Sequence, residues 1–265
     1  MPALMICELL GVPYEDHDRF QSSTRALPDA GSAEAQYAAF VELGTCLRGL
    51  ALAKRAKPTD DLPSDLATGG DLTDEELGGV AAFLLGAGLD TTADMLALGT
   101  FALLRDPAQL TALRGAPGLA ADTVEELLRY LSVAATGMRG VLEDVEVGGR
   151  RLRAGDTVVI AINTANRDPA RFADPDVLDL RRSAAGHLAF GHGVHQCLGR
   201  QLARLEMRVA FPVLLVRFPA LRLAVPAEEL SLRTDPSQVY GGTACPSPGI
   251  GGERDANLRL GDGAA

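Results

Sequence analysis

The sequence predicts a mainly helical protein with a minor strand component, and two observations carry that reading. A long helical pattern opens at Thr73, where Thr73 and Glu76 have capping-box spacing, and runs to Arg105 before "DP" stops it. The β-branched runs, by contrast, gather in one stretch, "VEVGGRRLRAGDTVVIAI", interrupted by Gly148, Gly149 and Gly155. That stretch reads as two short strands around a turn.

The elements follow in chain order. The opening "ALMICELLGVP" has the apolar spacing of a buried helix end, stopped by Gly11 and Pro13. Alanine and leucine dominate Ala33 to Arg55, which predicts a second helix ended by Pro58, and a polar linker, "KPTDDLPSDLATGGDLT", comes next. At 1.5 Å per residue the helix from Thr73 to Arg105 would be about 45–50 Å long. Around "GVAAFLLGAG" it is apolar on nearly all sides, which predicts a course through the middle of the fold. A further helix is expected from Ala121 to Tyr130. From Asn163 to Gly193 the breakers "RDP", "ADPD" and "AAG" predict mostly loop. A final long helix starts near Cys197 and ends before Pro219. The last 25 residues hold seven glycines and little apolar content, so 241–265 reads as a poorly ordered tail behind a folded region of 1–240.

With 265 residues the chain can bury the core of one generous domain or two small ones. Its 25 basic and 35 acidic residues leave a net charge of -10, which argues against a nucleic-acid partner. Cys7, Cys46, Cys197 and Cys245 show no paired spacing, so a reducing, cytoplasmic setting is expected and a disulfide framework is not. The first residues lack the basic region and cleavage site of a signal peptide. The most apolar run, Leu77 to Leu89, is short and leads into Asp90, so no membrane span is expected.

Three constellations carry chemistry. In "AFGHGVHQCLGRQLAR", Cys197 sits between a glycine-punctuated loop and an arginine-rich helix. A thiolate there is stabilised by helix amides, and Gly191, Gly193 and Gly199 let a large flat group approach the backbone. Two other readings stand beside that one. Cys197 could be a small buried hydrophobe, or His187, His192, His195 and Cys197 could bind zinc, although their spacing matches no usual zinc pattern. Within the long helix, "AGLDTTAD" places Asp90 and two threonines among apolar residues, a costly arrangement without partners. Thr91 can bond back to the carbonyl near Ala87, and an interhelix polar contact explains the cluster equally well. In "EELLRY", Glu126 and Arg129 stand one helical turn apart, a spacing that by itself signifies only an ion pair.

Taken together and in this order, the three resemble the cytochrome P450 superfamily, specifically its soluble bacterial members. "FGHGVHQCLGRQLAR" is similar to the haem-binding loop FGxGxHxCxGxxLA, "AGLDTT" to the oxygen-activating stretch of the central helix, and "EELLR" supplies the ExxR pair. The likeness runs from "ICELLGVP" through "NRDP" to about Tyr240. It implies a P450-like fold lacking its N-terminal helices and most of its sheet, with 1–240 as a partial domain of that kind.

The resemblance also implies roles. Cys197 would be the axial thiolate ligand of haem b, an anionic sulfur that favours O–O cleavage. Phe190 would pack beside the loop, Gly193 and Gly199 would permit close approach, and His195 and Arg139 would pair with haem propionates. Asp90 and Thr91 would relay protons during dioxygen activation. Glu126, Arg129 and Arg182 would form a structural network beneath the haem. The implied activity is a monooxygenase acting on a small organic substrate, fed with NAD(P)H-derived electrons through ferredoxin reductase and ferredoxin. Arg200, Arg204 and Arg208 recur every fourth residue, a stripe that could dock such an acidic donor or simply form a solvated face near Glu206. Against the family pattern, "ALMICELLGVPYED" stands at the start, whereas in the family several helices precede it. After "LRTDPSQVYG" glycine and charge replace an apolar strand. A truncated, inactive relative that does not enclose haem or substrate is therefore the alternative expectation.

Overall fold

The computed structural model of the chain describes residues 2–17, 32–230, 232–233, 241–242 and 258–260. The chain divides into two compact units, one running to Ala93 and the other beginning at Asp94.

The first unit contains α1 (Pro2–Leu9), α2 (Ala33–Ala56), α3 (Leu62–Thr68) and the opening part of α4 (Asp74–Arg105). Helix α2 is capped by Ser32, whose hydroxyl accepts from the Ala35 amide. Helix α3 lies inside the expected polar linker, which is therefore not all loop. Its start is built by local chemistry: the Asp61 carboxylate accepts from the Ser64 amide at 2.9 Å, and Pro63 occupies the first turn. Burial opposes ionisation of Asp61. Even so, the Lys54 ammonium at 2.6 Å and donors from Thr59 and Ser64 outweigh it and hold the pKa at about 2. Ala67 of α3 then packs with Ala51 and Leu77.

Helix α4 opens with the expected capping box. The Glu76 amide donates to Thr73 Oγ1 at 3.2 Å, and the Thr73 amide donates to Glu76 Oε2 at 2.8 Å. Its middle is less enclosed than its composition predicts. Leu77, Ala81 and Leu85 are buried at four-residue spacing, whereas Phe83 is 67% exposed. Burial thus follows one face rather than the whole circumference. By length and composition α4 alone among the described helices could cross a membrane, a test that the core helix of a soluble protein also passes.

In the second unit, α5 (Pro107–Gly115) follows α4 directly and was not foreseen from the sequence. The same "DP" that ends α4 starts α5, because Asp106 accepts from the Ala108 and Gln109 amides and Pro107 takes the first helical position. Helix α6 (Ala120–Leu131) and α8 (Arg200–Arg217) pack around Leu103, Val124, Leu127, Met207, Phe211 and Leu215. At Gly99 the approach is so close that an added Cβ would stand 2.6 Å from Phe211 Cζ.

The β-branched stretch is more divided than two strands around one turn. Strand β1 (Thr136–Gly140) pairs antiparallel with β4 (Thr157–Ala161), and β2 (Val145–Val147) with β3 (Arg150–Leu152) forms a hairpin between them. Arg139 therefore lies within β1, opposite Val158, rather than ahead of the first strand. The short helix α7 (Ile162–Ala165) leads into a region of turns that lasts to Gly199. Beyond α8, β5 (Leu221–Leu223) pairs with β8 (Leu258–Leu260), and β6 (Leu232–Arg233) with β7 (Gly241–Gly242). Two short strands thus fall inside the expected tail of 241–265, whose other residues lie outside the described ones.

Candidate functional site

The amphipathic helix α6 presents Glu126 and Arg129 inward, both with side chains 0% exposed. Arg129 donates from Nε to Glu126 Oε2 at 2.7 Å and from a terminal nitrogen to Oε1 at 2.8 Å. Its other terminal nitrogen donates to the carbonyls of Asn166 and Pro175. Arg182 brings a second cation to Glu126 at 3.2 Å and itself donates to the carbonyls of Ala173 and Asp174. A buried carboxylate flanked by two guanidiniums, each also holding backbone carbonyls, pins the turns at 166–182 to α6.

Asn166, fully buried, extends this framework. Its side-chain amide donates to Ser132 Oγ at the left-handed end of α6, and its oxygen accepts the Leu188 amide at 2.6 Å. Leu188 begins the segment that leads to Cys197. There the Gly191 amide donates to the Leu188 carbonyl, and the Cys197 amide donates to the Phe190 carbonyl at 2.8 Å. The loop is thereby closed on itself, with Gly193 in the left-handed region at φ +74°. Helix α8 starts three residues after Cys197, and the Arg200 side chain reaches the Cys197 carbonyl at 3.3 Å.

The predicted residues distribute as follows. Glu126, Arg129 and Arg182 converge on one ion-pair network. Phe190, Gly193, His195, Cys197 and Gly199 share one loop; Phe190 packs against the hydrophobic core and Cys197 is exposed. Arg139 is exposed on β1, where it donates to the Met138 carbonyl. Asp90 and Thr91 belong to the first unit. There Asp90 is exposed and the Thr91 hydroxyl donates back to the Ala87 carbonyl at 2.7 Å.

Glu125 joins this constellation without having been singled out in the sequence. It accepts a bidentate pair from Arg204 at 2.7 and 2.8 Å and lies 3.1 Å from His187 Nε2 and 3.5 Å from Arg208. His187 Nδ1 accepts from the Ala189 amide at 3.1 Å, so the ring proton sits on Nε2 and is donated to Glu125. Burial opposes ionisation of Glu125, but His187 and Arg204 outweigh it and hold the pKa at about 2. The only sequence signal was Glu125 preceding Glu126; its partners lie 62 and 79 residues away.

Two expectations are corrected by this geometry. Arg204 is spent on Glu125 rather than presented to a partner, and Glu206 is buried, with burial pushing its carboxyl pKa up. Arg204 is thus drawn out of the arginine stripe and Glu206 is no part of a solvated face, while Arg208 stays exposed and Arg200 half-buried. The zinc reading also fails: both His187 nitrogens are engaged, and among the described residues no group of three or more His, Cys, Asp or Glu could hold a metal ion.

Comparison with known proteins points to one family. Residues 119–234 match the family model for cytochrome P450. Cytochrome P450 105C1 of a Streptomyces species is 53% identical over 249 residues, covering 93% of this chain and 65% of the relative. Over the length it spans, the chain resembles the cytochrome P450 family. Pentalenic acid synthase of Streptomyces avermitilis is 50% identical over 238 residues, covering 88% of this chain and 59% of that relative. The crystal structure of cytochrome P450 MoxA from Nonomuraea recticatena superposes with a TM-score of 0.83 at 45% identity, covering 91% of this chain and 61% of that one. The chain therefore spans less than two thirds of the length of these cytochromes P450.

A cytochrome P450 uses haem, and the residues present fit that group. Cys197 offers an exposed soft donor. Beside it Val194 is 97% and Leu198 71% exposed, an apolar surface suited to a macrocycle. Cβ atoms added at Gly193 and Gly199 would meet nothing within 4 Å, so the loop leaves room for a flat ligand.

Proposed function

We propose that this chain supplies the haem-thiolate centre of a monooxygenase, with Cys197 as the ligand of haem b. The observation that carries the proposal is the self-closed loop from Phe190 to Cys197, which holds an exposed thiol on a glycine-opened, apolar surface. Haem bound there supplies O2 activation: one oxygen atom enters an organic substrate, and the other leaves as water after two electrons and two protons arrive.

The chain's own residues have four tasks. Cys197 donates electron density as thiolate. Arg139 and His195, both exposed, pair with the propionates of the bound group. Asp90 exchanges protons with solvent, and the Thr91 hydroxyl passes them on when it swings from its bond to Ala87. The network of Glu126, Arg129 and Arg182 keeps the turns that precede the loop in place and takes no part in proton transfer. Electrons come from NAD(P)H through a ferredoxin reductase and a ferredoxin. The substrate class is small and organic, in keeping with a relative named as pentalenic acid synthase.

The test is a reduced carbon-monoxide difference spectrum of the chain supplied with haem. A red-shifted Soret band that Cys197→Ser abolishes is expected. No haem uptake, or a spectrum that Cys197→Ser leaves unchanged, overturns the proposal in favour of a relative that carries the loop without the activity.

A further inference from the structure

Glu125 is adjacent in sequence to the buried Glu126, yet it serves a different set of partners. The Glu126 network reaches the turns at 166–182, whereas Glu125 reaches both ends of the cysteine loop. On the entry side it accepts from His187 Nε2, whose other ring nitrogen accepts the Ala189 amide. On the exit side it takes the bidentate pair from Arg204 in α8. The Arg204 guanidinium also lies 4.7 Å from the centroid of the Phe190 ring, a cation–π contact that brings entry and exit together. Phe190 in turn holds the Cys197 amide through its carbonyl at 2.8 Å. A chain of direct contacts therefore runs from the Glu125 carboxylate through Arg204 and Phe190 to the backbone of Cys197.

We propose that Glu125 is a positioning residue for Cys197, clamping the loop at Phe190 and at Arg204 so that the thiol is presented in one orientation. The inference deepens the haem-thiolate reading and rests on it for its functional meaning, while the clamp itself is a property of the chain without any ligand. It also explains why Arg204 is turned inward. A planar guanidinium can give two parallel hydrogen bonds to a carboxylate and still stack on a ring, and a lysine ammonium cannot do both. Arg208, at 3.5 Å and 44% side-chain exposure, adds charge without fixing geometry.

The decisive measurement is amide hydrogen exchange of the full chain without haem, resolved for the Cys197 amide, in Glu125→Gln, Arg204→Lys and Arg208→Ala. Glu125→Gln and Arg204→Lys should each speed exchange at Cys197 by about tenfold, the scale of losing partly screened, charge-assisted hydrogen bonds. Arg208→Ala should leave it unchanged. The Gly155 amide, bonded to the Val141 carbonyl just beyond the end of the β1–β4 ribbon, serves as the internal reference. Unchanged exchange at Cys197 in both clamp variants overturns the proposal. So does equal acceleration at Gly155, which would mean general loosening, or in Arg208→Ala, which would mean a mere charge effect. Should Glu125→Gln fail to fold, Arg204→Lys decides by the same criterion.

With haem supplied, the clamp variants should show a smaller red-shifted fraction in the carbon-monoxide spectrum than the native chain. Accelerated exchange in the variants, together with a native chain that takes up no haem, leaves the clamp standing and removes the proposed function. A native red-shifted spectrum with unaltered exchange in the variants does the reverse.

Discussion

Replacing Arg129 with leucine strikes the point where most of the second unit's polar framework meets. Arg129 is 0% exposed and donates to Glu126 at 2.7 and 2.8 Å, to Asn166 at 2.9 Å and to Pro175 at 2.8 Å. Leucine fills much of the volume but leaves the Glu126 carboxylate, also 0% exposed, with Arg182 at 3.2 Å as its remaining ion-pair partner. Two carbonyls lose their donor at the same time. Breaking a buried pair from one side costs about 3–5 kcal/mol. For a chain of this size that corresponds to a fall in Tm of roughly 10 °C. Thermal unfolding followed by circular dichroism measures it. Adding Glu126→Leu to Arg129→Leu should recover part of the loss, because the stranded carboxylate goes while Arg182 keeps its own carbonyl acceptors. An unchanged Tm in Arg129→Leu, or a double variant as unstable as the two single losses summed, refutes the reasoning.

At Gly99 a Val side chain would collide with Phe211, so Gly99→Val should cost about 1–3 kcal/mol by overpacking, read from the urea midpoint. Glu125 gives a signed pH dependence. Its pKa of about 2 lies below the free value of 4.5, so its contribution to stability is complete above about pH 4.5 and is lost as pH falls toward 2. The stability gap between the native chain and Glu125→Gln should accordingly narrow across that window, and a gap constant with pH would contradict the assigned ion pair. Thr91→Val should lower the product formed per O2 consumed while leaving the carbon-monoxide spectrum alone; unchanged coupling would remove Thr91 from proton transfer.

Much of this protein was written locally. The capping box at Thr73 and Glu76, the stop at "DP", and the extent of α2, α6 and α8 follow from backbone chemistry within a few residues, which is why they were legible. The loop around Cys197 was legible for a related reason: its glycines and its thiol are consecutive, and the pattern is specific. Where one signal serves two neighbouring elements, only the first was legible. Asp106 and Pro107 end one helix and begin another, and Asp61 with Pro63 starts a helix inside a polar stretch.

What only the tertiary structure decided concerns partners distant along the chain. Sequence spacing alone made Arg204 as good a surface cation as Arg200, and nothing near Glu125 named His187 or Arg204 as its partners. Charged side chains choose between water and a buried counter-ion according to what folding brings within about 3 Å, since desolvation is offset only by direct pairing. The amino-acid order therefore determined the helices, the cysteine loop and the family resemblance, while packing of α6 against α8 determined which charges hold that loop and which are left to solvent.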